Sequence, residues 1–244
     1  MRGFQIFIAV LSVIFLNACV LEEERAPNIL FIMSDDHTSQ AWGIYGGLLA
    51  PYVKNDGIKT LAEQGVTLEN MFTTNSICVP SRAALLTGVM SHKNGVYTLG
   101  DALSTDSLTI AGLLSDAGYS TAIIGKWHLK EEPTGFDYYK VLPGQGRYFD
   151  PLLKTKENWE YGGKGGTVHQ GFSSDIIGDE SIEWLKAQDQ NQPFFLMTHF
   201  KATHEPFHYP ERHADLLADV EIPEPESLLE PYPHPTGRTF KGQL

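Results

Sequence analysis

Three short apolar runs constrain this chain most: Ile29-Leu30-Phe31-Ile32-Met33, Thr121-Ala122-Ile123-Ile124, and Phe194-Phe195-Leu196-Met197-Thr198-His199-Phe200. Their length and their β-branched and aromatic content fit strands buried on both faces better than helices. Helical patterns lie between them. Residues 58–64 form one, stopped by Gly65, and 81–87 another, opened by Pro80-Ser81 and closed by Gly88. A third runs over about 107–116, with Leu108, Ala111, Leu113 and Leu114 on its apolar face and Gly118 as its stop. The fourth covers about 174–187 and buries Ile176, Ile177, Ile182, Trp184 and Leu185. Strands interleaved with helices predict an α/β fold, a largely parallel central sheet flanked by helices. Residues 66–72 read as a further extended piece. The aperiodic, Gly-, Tyr- and Trp-rich stretch 131–170 reads as a functional insertion, because structureless connections of that length are uncommon. Beyond about residue 220, repeated Pro and Glu predict an irregular extended path.

Each apolar run is followed at once by residues that a core rejects. The first leads to Asp35-Asp36, the second to Gly125-Lys126-Trp127-His128, the third to Lys201-Ala202-Thr203-His204. In parallel α/β proteins the carboxyl ends of the strands share one edge and form the ligand crevice, so these groups are placed to converge. Adjacent aspartates repel one another and suit a hard divalent cation; as a pair alone they suit a turn or a helix cap equally well. Lys126 and His128, two apart on an extended segment, point to one side, although a solvated loop would carry the same residues. His204 is ambiguous by itself, and His199 fits a position within its strand.

The chain has two cysteines, and its formal charge of −12 leaves no basic stripe for nucleic acid. Met1-Arg2 and the apolar run 4–16 have the form of an export signal, too short for a membrane span. Cys19 directly after Ala18 resembles a bacterial lipobox. This organisation predicts a signal peptide over 1–18, a lipidated tether over 19–26 bearing lipid on Cys19, and a folded region over 27–244. The protein is then an exported bacterial lipoprotein, membrane-anchored in the periplasm or at the cell surface. With Cys19 lipidated, Cys78 is the only thiol left, so no internal disulfide forms. Cys78 opens the string Cys78-Val79-Pro80-Ser81-Arg82-Ala83-Ala84-Leu85-Leu86-Thr87-Gly88. The amides at the start of the helix that follows, with the planar donors of Arg82, suit a bound anion.

That string resembles in full the signature by which type I sulfatases are marked for conversion of a cysteine to formylglycine. Together with 27–36, Gly125-Lys126-Trp127-His128 and 201–206, it makes the chain resemble the N-terminal portion of such a sulfatase, within the alkaline phosphatase superfamily. The resemblance implies hydrolysis of sulfate esters, with Asp35 and Asp36 as Ca2+ ligands and residue 78, after action of a formylglycine-generating maturation enzyme, as nucleophile and metal ligand. It further implies that Arg82 stabilises the formylglycine hydrate and Lys126 binds sulfate. His128 assists the nucleophile and the collapse of the intermediate, His204 contacts sulfate and protonates the leaving oxygen, and Lys201 binds substrate in the same pocket. One hydroxyl of the hydrate attacks sulfur and expels the alcohol; loss of the second hydroxyl's proton then regenerates the aldehyde and frees sulfate. A serine lacks that second hydroxyl.

The family's later Asp-Asn or Asp-His pair and downstream lysine have no counterpart before Leu244. Calcium takes about six to eight oxygen ligands, so the chain reads as incomplete at its C-terminal side and inactive alone. The expected substrate is a sulfated carbohydrate, with Trp159 and Tyr161 as candidate stacking rings, although packing against the rest of the family's fold would use the same rings. The rival readings are a phosphonate or phosphate ester hydrolase of the same superfamily, and a noncatalytic glycan-binding lipoprotein.

Overall fold

The computed structural model describes residues 25–229. The expectations for Cys19 and the signal and for residues beyond 229 lie outside them. The sheet has four parallel strands, β1 (Ile29–Met33), β2 (Ser120–Lys126), β3 (Tyr138–Leu142) and β6 (Phe194–His199), in the order β1-β6-β2-β3. A two-stranded antiparallel ribbon, β4 (Leu152–Leu153) with β5 (Thr167–Val168), follows β3. The helices are α1 (Asp56–Gln64), α2 (Cys78–Thr87), α3 (Ser91–Asn94), α4 (Ile110–Asp116) and α5 (Ser173–Lys186).

Strand alternation sorts the core into two layers. Ile123, Tyr139, Val141, Phe195 and Met197 pack with Val79, Ala83 and Leu86 of α2 and Ala111 of α4. Ala122, Ile124, Leu142 and Leu196 face the other way, onto Ile177 of α5. The α/β class and the parallel sheet predicted above are both present.

Several local expectations change. The edge strand β1 is not buried on both faces, since Leu30 and Ile32 are about half exposed, and Ile182 of α5 is exposed as well. Helix α2 begins at Cys78 rather than at 81, placing Pro80 inside its first turn, where the missing N–H costs no intrahelical bond. Helix α4 begins at Ile110, because Thr109 caps it by accepting from Gly112 N; Leu108 lies before the helix, 68% exposed. Residues 66–72 form no strand, and Val66 and Phe72 are exposed. The stretch 131–170 is not an insertion but supplies β3 and the β4–β5 ribbon. Tyr138 and Lys140 made β3 hard to read; both bond Glu180 of α5, at 2.5 and 2.7 Å, which satisfies a lysine on a covered face of the sheet.

Gly125 pairs with His199 at the carboxyl ends of β2 and β6. Its φ is +104°, and a Cβ there would lie 1.9 Å from the carbonyl oxygen of His199. Gly125→Ala is expected to destabilise the fold by about 3 kcal/mol, through backbone strain and that clash. A denaturant midpoint equal to the parent's would contradict this account.

Candidate active site

The predicted convergence occurs at the carboxyl edge of the sheet. Main-chain bonds join the loops beyond β1 and β6: Asp35 N donates to Ala202 O at 2.9 Å and Thr203 N to Asp35 O at 2.7 Å. This brings His204 beside the aspartates. Helix α2 enters from the next layer with Cys78 at its first position, and its N-cap residue, Ile77, makes no side-chain cap bond.

Asp35, 5% exposed, is the hub. Its Oδ2 accepts from Lys126 Nζ, while Oδ1 lies 3.5 Å from Arg82 Nη2 and 3.7 Å from Cys78 Sγ. Burial raises its carboxyl, but the Lys126 hydrogen bond and the Arg82 charge outweigh this and hold it below the usual carboxylate range. Lys126, wholly buried, also donates to Gln145 Oε1 at 2.6 Å, and its Nζ lies 3.9 Å from Cys78 Sγ. Arg82 is fixed by donating to Lys126 O at 2.7 Å and contacts His199 Nδ1 at 3.2 Å.

Donor atoms of Asp35, Cys78 and His204 all lie within 4.8 Å of one another. This trio contains His204 in the place where the sequence reading has Asp36. The Asp36 carboxylate is more exposed, with Oδ2 3.6 Å from His204 Nε2. The cleft of about 410 Å³ lined by Asp35, Asp36, His37, Cys78 and Arg82 opens onto this group.

His128 is buried, and its Nδ1 has no partner among the described residues. Burial, then the charges of Lys126 and Arg82, push its pKa down to about 4, so the ring is neutral at physiological pH. It does not continue the strand from Lys126 as expected: its φ is +59°, and Asp36 is likewise left-handed at +51°. Burial raises the Cys78 thiol, opposed by Lys126, so the cysteine as encoded is no activated thiolate. Lys201, 3% exposed, lies 4.7 Å above the Tyr148 ring.

Gln145, Tyr148 and the contacts of His199 Nδ1 with Arg82 and with Lys126 O, both at 3.2 Å, were not legible beforehand. Gln145 and Tyr148 follow the carboxyl end of β3, so recognising that strand would have flagged them. Of the two rings expected to stack on sugar, Trp159 meets Tyr139 edge-on at 5.9 Å, carries Lys154 Nζ 4.8 Å from its centroid, and lines one cavity with Tyr161. Tyr161 is 63% exposed.

The profile of the family described as Sulfatase matches residues 27–232. The chain belongs to the sulfatase family. It is 40% identical over 214 residues to an N-acetylglucosamine-6-O-sulfatase of Bacteroides thetaiotaomicron, covering 86% of this chain and 37% of that protein. It is 30% identical over 217 residues to the N-acetylgalactosamine-6-sulfatase of Homo sapiens, covering 75% and 40%. A structure solved in complex with its substrate D-glucosamine-2-N,6-O-disulfate superposes with a TM-score of 0.78 at 39% identity, over 85% of this chain and 41% of that one. This sulfatase chain therefore spans about two fifths of the length of such relatives.

Proposed function

We propose that this chain supplies the nucleophile and much of the sulfate-binding wall of a carbohydrate sulfatase that cleaves sulfate esters at the primary O6 of amino sugars. The placement of Cys78 at the head of α2, facing Asp35, Arg82 and Lys126, carries the reading. The names of the relatives point the substrate the same way: N-acetylglucosamine 6-O-sulfate, N-acetylgalactosamine 6-sulfate and a 6-O-sulfated glucosamine.

In this reading the Cys78 Sγ stands where the nucleophilic oxygen of a formylglycine hydrate sits, and that hydrate supplies a hydroxyl to attack sulfur and a second one to release it. Lys126 and Arg82 hold negative charge at residue 78 and on the sulfate oxygens. His128, neutral at physiological pH, is the group that would accept the hydrate's proton. His204, beside Asp36, delivers a proton to the departing O6. Two carboxylates and an oxidised residue 78 form a hard oxygen set, so Asp35, Asp36 and residue 78 would hold Ca2+, which would neutralise the carboxylate pair and polarise the sulfate. The lipobox reading of Cys19 supports placing this chemistry outside the cytoplasm.

The test uses the product of the whole gene, matured in its native host. It should release sulfate from N-acetylglucosamine 6-sulfate and lose that turnover on chelation, with recovery in added Ca2+. Full activity after exhaustive chelation would remove the metal from this account. Faster turnover of a phosphate monoester of the same sugar would move the enzyme to a neighbouring activity.

A further inference from the structure

Lys201 is a buried ammonium with too few partners. It forms no salt bridge among the described residues, and its one polar contact is the Glu205 carbonyl at 3.5 Å, the outer limit of a hydrogen bond. A cation in that state needs either an anion or a compensating surface. The face of Tyr148 provides the surface, 4.7 Å below Nζ. The same side chain reaches further, since its hydroxyl donates to the backbone carbonyl of His204. Tyr148 is itself immobilised: it is 3% exposed, stacked on Phe172 at 5.7 Å, with the His208 ring at 5.7 Å.

We infer that Tyr148 is a positioning residue that sets two groups of the site at once, its ring aiming the Lys201 ammonium and its hydroxyl fixing the backbone that carries His204. The inference rests on the sulfatase reading, in which Lys201 awaits a sulfate oxygen and His204 the leaving oxygen. The ring acts on binding of the anion, and the hydroxyl on proton delivery. The two parts therefore separate kinetically. Tyr148→Phe keeps the ring under Lys201 and removes the tie to His204, so kcat falls while KM holds. Tyr148→Leu removes both, so KM for N-acetylglucosamine 6-sulfate also rises, by about fivefold to thirtyfold from the lost cation–π contact.

The experiment combines those kinetics, on the matured full-length enzyme, with NMR of protein labelled with 13C at the lysine ε-carbon. In the parent and in Tyr148→Phe, the Lys201 ε-methylene protons should be shifted upfield by the ring beneath them. Tyr148→Leu should return them to the ordinary position, and Lys201→Arg identifies the resonance by its loss. An unshifted Lys201 signal in the folded parent overturns the ring's role, and a Tyr148→Phe enzyme with the parent's kcat overturns the hydroxyl's. If Tyr148→Leu fails to fold, the parent spectrum and the isosteric Phe variant still decide both. A parent inactive on every sulfate ester would defeat the functional reading, yet the NMR signal would still report whether Tyr148 aims Lys201.

Discussion

Cys78→Ala is expected to remove sulfate-ester hydrolysis, lowering kcat by about 10⁴-fold or more, as loss of a covalent nucleophile does elsewhere. No neighbouring group can replace it. Asp35 is held by Lys126 and Arg82, and Ser81, three residues on, lacks the second hydroxyl that lets a sulfated hydrate collapse. The fold should survive. Packing of α2 rests on Val79, Ala83 and Leu86, each at most 1% exposed, while the Cys78 side chain turns to the polar cleft. Loss of Sγ should therefore cost no more than about 1 kcal/mol. Sulfate release and thermal melting on the same preparation separate the two effects. Mass spectrometry of the parent's Cys78 peptide should also show the lighter aldehyde form, in which a carbonyl oxygen replaces sulfur. A Cys78→Ala enzyme that turns over at the parent's rate would end the nucleophile assignment.

The sheet was legible because its central strands announce themselves. β2 and β6 are covered on both faces, and such strands read as unbroken apolar runs. The site was legible for a related reason. Lys126 ends β2, and Asp35 and His204 lie in the loops just after β1 and β6, at the one edge where a parallel sheet gathers its strand ends. Cys78 and Arg82 came from a string of specific residues instead.

What the sequence concealed depended on partners distant along the chain. β3 carries Lys140 on a covered face, an error by pattern alone until Glu180 of α5 is seen to receive it. Losing β3 lost Gln145 and Tyr148 as well, since a residue is recognised as lying beyond a strand end only when the strand is known. His128 eluded the alternation argument because its left-handed backbone turns the chain out of the extended geometry that argument assumes. Nor does spacing reveal that His204 stands nearer Asp35 and Cys78 than the Asp-Asp pair suggests; the backbone bonds between the loops after β1 and β6 decide that.

A stability effect as large as that at Gly125 is expected at Lys126. Its ammonium is wholly buried, and its contacts are the Asp35 carboxylate, Gln145 Oε1 and Cys78 Sγ. Lys126→Met keeps much of the volume and removes the charge. Asp35, still buried, is then left with Arg82 at 3.5 Å as its remaining ion-pair partner. Breaking a buried pair from one side costs about 3–5 kcal/mol, and the retained Arg82 contact puts this case near 3. Most of that cost is the stranded carboxylate rather than the lost attraction. Adding Asp35→Asn to Lys126→Met should therefore cost less than the two single changes together, with a coupling of about 1–3 kcal/mol. Urea titrations of the four proteins in chelator measure it without a metal ion to compensate Asp35. Strict additivity would mean that Lys126 and Asp35 do not stabilise each other, and that the lysine is held in the site by Gln145 and packing alone. On the proposed mechanism, turnover should vanish in Lys126→Met in either case, because the sulfate oxygens would lose an ammonium that lies 3.9 Å from Cys78 Sγ.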